Sequence, residues 1–191
     1  SIARRSSFLL DRLEDELFPA DILILEDPHR PRGLRSRPFD GEGLPCLPRA
    51  LVEKGRVTGW LTNAASARQL GIALTGHAAR GASGAPGVQP ANVHLAPGKI
   101  SRAELIADIE DGVLVTELIG MGVNGVTGDY SRGASGFRIV NGEIAGPVAE
   151  FTVAGNLIDM FARMSVADDL DIHRSMDVPT IRIEGMMVAG E

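Results

Sequence analysis

Glycine falls at Gly122, Gly125, Gly128, Gly133 and Gly136, and no other stretch restricts the fold as sharply. At that density one backbone can run close against another or take up φ > 0, which residues carrying a side chain resist. The run leads into a hairpin signal. Asn141-Gly142 is the dipeptide a type I′ turn wants, and Phe137, Ile139 and Ile144 flank it. Gly122 to Met160 therefore reads as loop, strand, tight turn, strand, after which Asn156 opens a short apolar helix.

The 191 residues suit one domain or a tight two-lobed unit, and roughly 70% of the unfolded surface of a chain this size can be buried. With 44% apolar residues, disorder is excluded as the overall state. A net charge of -6 argues against direct nucleic-acid binding or an electrostatic hold on anionic lipid, since both need clustered Lys and Arg. Cys46 is alone, so no intrachain disulfide can form, which fits a reducing compartment such as the cytoplasm. No apolar run approaches the 18 or so residues of a membrane span. Ser1 stands where an initiator methionine would, and leads into what reads as helix. The expectation is the distal part of a longer polypeptide, with ordinary processing of the N-terminus as the alternative.

Phe8, Leu9, Leu13 and Leu17 recur at helical spacing behind Ser6 and Ser7, predicting a helix over residues 7–17 stopped by Pro19. Ile22 to Leu25 suits a short buried strand, and residues 28–38, with their prolines and arginines, a surface loop or a grip on an acidic partner. Lys54-Gly55 is expected at the turn of a hairpin over 51–61, and Ala64 to Leu70 as a helix. Residues 71–97 turn to Gly, Ala and Pro and read as one long irregular excursion. Ser101 with Glu104 forms a capping box for a helix to about Asp111, ended by Gly112. Val113 to Ile119 and Thr180 to Val188 read as strands, so strands outnumber helices.

Most candidate chemistry fails on spacing. Pro97-Gly98-Lys99-Ile100-Ser101 lacks the first glycine of a phosphate loop, and neither Gly81-Ala82-Ser83-Gly84 nor Gly133-Ala134-Ser135-Gly136 completes a nucleophile elbow. No two of His29, His77, His94 and His173 sit at i, i+4 spacing for a metal. His77 stands out among them because Thr75-Gly76-His77 opens the glycine-rich excursion. Cys46 has no local neighbour that would favour a thiolate and reads as inert. Asp129 and Arg132 bracket Tyr130-Ser131, either to pair with each other and tie the loop down or to bind a peptide end. Asp168, Asp169 and Asp171 form a solvated acidic face or a hard-cation site.

From Gly122 to Met160 the chain resembles the C-terminal domain of the PmbA/TldE family, proteins described as modulators of DNA gyrase. Ser7-Phe8-Leu9, Phe18-Pro19, Phe39-Asp40-Gly41-Glu42-Gly43, Ser66-Ala67-Arg68, Thr75-Gly76-His77-Ala78, Thr116-Glu117-Leu118 and Ile183-Glu184-Gly185-Met186 extend the likeness over nearly the whole chain. The resemblance implies an α+β fold with extensive antiparallel β-sheet and a few short helices, residues 1–191 forming one C-terminal domain, and an N-terminal half absent from this sequence.

The family also implies a division of labour. TldD-type chains resemble zinc peptidases, with an HExxxH helix and a later cysteine as ligands, while PmbA/TldE-type chains are partners lacking that set. Any HExxxH helix would lie upstream of Ser1. The region from Asp168 to Glu191, where a TldD-type chain places its cysteine, has none, and Thr127-Gly128-Asp129-Tyr130-Ser131-Arg132-Gly133 has the PmbA-like wording. Arg138 stands where an aromatic is common, and the segment after His77 is shortened and Ala-rich. The expectation is a cytoplasmic, non-metal subunit without cofactor, inactive by itself. Its partners would be a TldD-like zinc metalloprotease subunit and unfolded or peptide substrate, or a second copy in a homodimer of the fragment. His77, Asn124, Thr127, Asp129 and Arg132 are the candidate substrate-binding residues, with no catalytic or metal-ligating residue. The alternative is a regulatory protein-binding module, in the setting of gyrase or a toxin and antitoxin, without a proteolytic role.

Overall fold

β-branched and apolar runs broken by Gly, Pro and Asn give this chain many strands and few helices. The structure, a computed structural model, describes residues 2–190. Ser1 and Glu191, the ends of the expected 1–191 domain, lie outside the described residues. In chain order the elements are β1 (Ile24–Asp27), β2 (Arg49–Glu53), β3 (Arg56–Val57), α1 (Ala64–Leu70), β4 (Ala78–Ala79), β5 (Gly87–Val88), β6 (Asn92–Leu95), α2 (Arg102–Ile106), β7 (Asp111–Ile119), β8 (Asp129–Val140), β9 (Glu143–Asn156), α3 (Leu157–Ala162), β10 (Met164–Val166), β11 (Met176–Asp177), β12 (Ile181–Ile183) and β13 (Met187–Ala189). This is the α+β architecture with extensive antiparallel sheet that the sequence led us to expect.

The chain divides into two compact units. Unit 1 comprises residues 1–16, 20–96 and 170–178, and unit 2 residues 17–19, 97–169 and 179–191. Unit 1 is built on a sheet ordered β11-β6-β1-β2-β3, antiparallel except where β11 joins β6 in parallel. Leu25 lies opposite His94 and Glu26 opposite Val93. The expected turn joins β2 to β3, with Lys54 at φ 51° and Gly55 at φ 78°, the pair of positive values a type I′ turn requires. Asn63 and Ser66 cap the start of α1 reciprocally, and Gly71 closes it in the left-handed conformation. Ile22, Cys46, Val52, Ala67, Ala78, Ala91 and Leu95 are buried.

Two expectations fail in unit 1. Residues 7–17 form successive turns, with Leu10, Arg12 and Asp15 donating to the carbonyls three residues back, instead of a helix. The physical reason lies in the same residues: Glu14, Asp15 and Glu16 would crowd the negative end of the helix dipole. Residues 71–97 are not wholly irregular either. They contain the β4–β5 pair and β6, which runs between β1 and β11.

Unit 2 carries a four-stranded sheet, β13-β9-β8-β7, whose long members span 14, 12 and 9 residues in β9, β8 and β7. The β8–β9 turn is the one read from sequence, with Asn141 at φ 48° and Gly142 at φ 78°. Ala134, Phe151 and Val153 form the buried centre, packed by Val113, Val115, Tyr130, Val148 and Met186. Burial of Phe151 and Val153 contributes on the order of 1.5–3 kcal/mol each. Phe18 stacks on Phe161 of α3 with centroids 4.6 Å apart. Ser101 and Glu104 make the expected capping box. Their helix ends at Ile106, however, because Asp111 and Gly112 already pair with Val140 and Ile139. Thr180 to Val188 is likewise two strands, interrupted by Gly185 at φ 71°: β12 pairs with β10 and β13 with β9. The glycine run is loop only to Gly128, since β8 begins at Asp129.

Candidate functional site

The five residues singled out in the sequence fall into both units. In unit 1, strand alternation turns Glu26 away from Leu25 and into the interior, where it is 2% exposed. Its Oε2 lies 2.7 Å from Nε2 of His77, itself 3% exposed, and its Oε1 accepts the Ala91 N–H. Burial pushes the Glu26 carboxyl upward. The His77 hydrogen bond, the Ala91 N–H and the charges of His77 and Arg49 outweigh it and hold the group below its ordinary value. An ionised carboxylate can only accept, so Nε2 of His77 carries a proton. Nδ1 lies 2.9 Å from the Thr75 hydroxyl. Both ring nitrogens are thus engaged. The bend that delivers the imidazole needs Gly76, at φ 71°, where an added Cβ would stand 2.5 Å from the Pro45 carbonyl. The Gly76 carbonyl also accepts from Cys46 Sγ at 3.1 Å, consistent with an inert thiol.

Two further buried polar groups organise unit 1 around this pair. Asp40 accepts backbone N–H groups from Glu42, Leu44 and Ala78 at 2.8, 3.0 and 2.9 Å. Burial would raise its pKa, but those three bonds and the Arg37 charge leave it lowered. Asn92, fully buried, donates to the Asp27 carbonyl and the Ser36 hydroxyl and accepts from the Arg35 N–H. Glu26 and Asn92 carry no sequence signal: Glu26 meets His77 across 51 positions.

In unit 2 the structure brings Asn124, Thr127 and Asp129 together. Asn124 Oδ1 accepts from the N–H groups of Val126 and Thr127, and its own N–H donates to the Asp129 carbonyl. Thr127 Oγ1 donates to Asp129 Oδ2 at 2.6 Å, while the Asn156 side chain reaches Asp129 Oδ1 and the Thr127 carbonyl, both at 3.1 Å. Those bonds, Thr127 first and Asn156 second, hold the Asp129 carboxyl below its ordinary range. Asn156, read from sequence only as a helix start, also caps α3. Gly122 lies against β8, its carbonyl accepting the Ser131 N–H, and a Cβ there would fall 1.6 Å from the Ser131 carbonyl oxygen. Met121, Val123, Asn124, Asp129 and Tyr130 line an open depression beside it.

Arg132 does not pair with Asp129 among the described residues. Its guanidinium donates to the Leu118 carbonyl at 3.0 Å, leaving its buried Nε without a partner. The loop is therefore tied down by Asn, Thr and Asp hydrogen bonds and not by an Asp129–Arg132 ion pair, one of the two alternatives the sequence left open, and it presents exposed Asn124, Thr127 and Asp129. His77 belongs to the separate, buried cluster of unit 1.

The donor set for a metal is poor. Among the described residues no group of three or more His, Cys, Asp or Glu side chains is placed to hold an ion. Asp169 is spent on the Thr180 N–H and hydroxyl, and Asp171 on His173 at 2.6 Å, so the acidic run makes no cation site. These residues do not fit a zinc centre. No described helix is long and apolar enough to cross a membrane.

Residues 1–190 match the family described as PmbA/TldA metallopeptidase C-terminal domain. Metalloprotease PmbA of Escherichia coli O157:H7 is 40% identical over 192 residues, covering 100% of this chain and 41% of that protein. The Metalloprotease PmbA homolog of Haemophilus influenzae is 43% identical over 191 residues, again 100% of this chain and 41% of that protein. The chain thus spans well under half the length of these relatives. Among solved structures, TldE from Thermococcus kodakarensis superposes with a TM-score of 0.87 at 27% identity, over 98% of this chain and 44% of its own. A putative modulator of a DNA gyrase from Thermotoga maritima gives 0.87 at 32% identity, with the same coverage of 98% and 44%.

Proposed function

The chain belongs to the PmbA/TldA metallopeptidase C-terminal domain family, and from that premise we propose that it is the C-terminal domain of a TldE-type subunit. In this reading an N-terminal half precedes it, and a TldD-type partner holds the zinc. The pair acts in the cytoplasm on unfolded or peptide substrates. The observation that carries the reading is the well-built loop of unit 2. Asn124, Thr127, Asp129 and Asn156 fix that loop's conformation through their side-chain hydrogen bonds. A fixed loop offers its exposed polar groups to a peptide at little ordering cost. Asn124, Thr127, Asp129 and Arg132 are assigned the substrate contacts. His77, with both ring nitrogens engaged, supports the unit 1 fold and is assigned none.

The test is reconstitution. The whole protein is purified alone and with its TldD-type mate, and each preparation is given a disordered substrate such as casein. Cleavage by the pair alone supports the reading. Undiminished cleavage by a pair carrying Asn124→Ala, Asp129→Ala and Arg132→Ala removes the loop from it, and zinc bound stoichiometrically by this subunit's own residues removes the non-metal role. The gyrase-modulator description of the Thermotoga maritima structure favours a second reading, a regulatory binding module without proteolysis. That reading predicts partner binding by this chain with no cleavage in any combination. Assembly of two copies of this chain, in place of the mixed pair, would appear as a homodimer in sedimentation.

A further inference from the structure

The sequence holds two Asn-Gly dipeptides, Asn124-Gly125 and Asn141-Gly142, both in unit 2 and both with the asparagine exposed. Asparagine followed by glycine is prone to lose its side-chain amide. The next backbone nitrogen, unhindered by a Cβ, can attack the side-chain carbonyl carbon and close a cyclic imide. Whether a folded chain permits this depends on a free glycine N–H, on room around that glycine, and on how strongly the side-chain carbonyl is polarised. The two dipeptides differ in all three respects.

At the β8–β9 turn the Gly142 N–H is donated to the Ile109 carbonyl and the Asn141 N–H to the Glu110 carbonyl, both at 2.8 Å. A Cβ on Gly142 would collide with the Ala107 carbonyl, so that glycine is hemmed in as well as bonded. Attack by its nitrogen would have to break the bond to Ile109. Gly125 is the opposite case. It is exposed, and a Cβ there would meet nothing within 4 Å. Among the described residues neither the Gly125 N–H nor the Asn124 side-chain nitrogen has a partner. Asn124 Oδ1 accepts the Val126 N–H at 3.0 Å and the Thr127 N–H at 3.4 Å. As Cγ turns tetrahedral, its oxygen gains negative charge, and those two donors already point at it. The backbone around the dipeptide is fixed too, with the Asn124 N–H on the Asp129 carbonyl and the Gly128 N–H on the Asn124 carbonyl. The side-chain carbon is thereby held beside the segment that attacks it.

We propose that Asn124 is a self-modification site, deamidating through attack by the Gly125 nitrogen, while the fold protects Asn141. The Gly125 nitrogen bonds to Asn124 Cγ as its proton passes to solvent hydroxide. The Cγ–Nδ2 bond breaks, and Nδ2 takes a proton from water and leaves as ammonia. Water then adds to either imide carbonyl, and the ring opens to aspartate or isoaspartate. No electron is transferred, and water is the sole co-reactant. Either product replaces the Asn124 amide with a carboxylate close to Asp129, and isoaspartate also lengthens the main chain by a methylene inside the loop. The inference goes beyond the protease reading and is independent of it, since it is read as a change in the chain itself.

The full chain is incubated in mildly alkaline buffer made with heavy-oxygen water, folded and in parallel in urea, then digested in ordinary water and mapped by mass spectrometry. An L-isoaspartyl methyltransferase with a labelled methyl donor identifies the isoaspartate. In the folded chain the Asn124 peptide should gain heavy oxygen about ten-fold or more faster than the Asn141 peptide, the rate equivalent of the Gly142 hydrogen bond that must break. In urea the difference should vanish, because neither dipeptide then keeps its surroundings. Gly125→Ala fits the open space at that position, so the fold is retained, and it should slow the Asn124 reaction about ten-fold while leaving Asn141 unchanged. The proposal is overturned by equal rates at the two sites in the folded chain, or by an Asn124 that stays intact while the chain in urea reacts. A difference that persists in urea, or indifference to Gly125→Ala, overturns it equally.

Discussion

Unit 1 hides its polar chemistry and unit 2 displays it. Glu26, Asp40, His77, Asn92 and Asp177 are all buried in unit 1, each inside a bonded set. Unit 2 keeps a small apolar centre and leaves Asn124, Thr127, Asp129 and the end of β7 in solvent. Charge divides the same way, at 13 basic and 12 acidic residues in unit 1 against 6 and 13 in unit 2. A buried polar network specifies one arrangement of its loops because an unmade bond there is expensive. An exposed network fixes a local shape and leaves atoms available to a partner. On the proposed function, the contrast assigns scaffold work to unit 1 and recognition to unit 2.

The contrast can be tested with native reporters, since the single tryptophan, Trp60, lies in unit 1 and the single tyrosine, Tyr130, in unit 2. Glu26→Ala should have the largest effect, about 3–5 kcal/mol, because it strands the buried His77 and Ala91 donors. Trp60 fluorescence in a urea titration should show it, with the Tyr130 transition moved less. Equal movement of both would mean that the units unfold as one body. Acid probes the same network. Glu26, Asp40 and Asp177 have folded pKa values below their ordinary ones, so their stabilisation is complete above about pH 4–5 and is lost as pH falls through the lowered values. The Trp60 transition should therefore soften below pH 4.5, and Glu26→Gln should flatten that dependence.

In unit 2, Gly122→Ala should cost about 2–3 kcal/mol by forcing loop and β8 apart. Faster hydrogen exchange at the Ser131 amide, with Trp60 unaffected, would register it. Asn156→Ala should cost about 1 kcal/mol through the lost helix cap. It should also loosen Asp129, visible as a rise in that carboxyl's NMR titration midpoint toward the ordinary value. The smallest change is a gain: Lys54→Asn at a positive-φ turn position should stabilise unit 1 by about 0.5 kcal/mol in the same urea titration.

The features readable in the sequence were those set by neighbours along the chain. Asn141-Gly142, Lys54-Gly55, the Ser101 and Glu104 box and the Asn156 cap each complete their chemistry within a few residues, and each forms as expected. β6 was hidden because its strand character comes from β1 and β11 on either side, and nothing in a Gly, Ala and Pro-rich stretch announces them. The turns over residues 7–17 defeated a periodicity argument because charge placement opposed it. At the site, Asn124, Thr127 and Asp129 were found together since they are close in sequence. Glu26 could not be found as the partner of His77, because nothing local links the two.

The pairing of Met176–Asp177 with Val93–His94 has a further consequence. The outermost strand of a sheet made mostly from the first half of the chain is contributed by residues that follow the whole β7–β9 ribbon. On a ribosome, that ribbon can zip from its Asn141-Gly142 turn as soon as its own residues emerge. The earlier sheet must wait with one flank bare until some eighty further residues have been made. During that interval β6 is the surface a nascent-chain chaperone would have to guard.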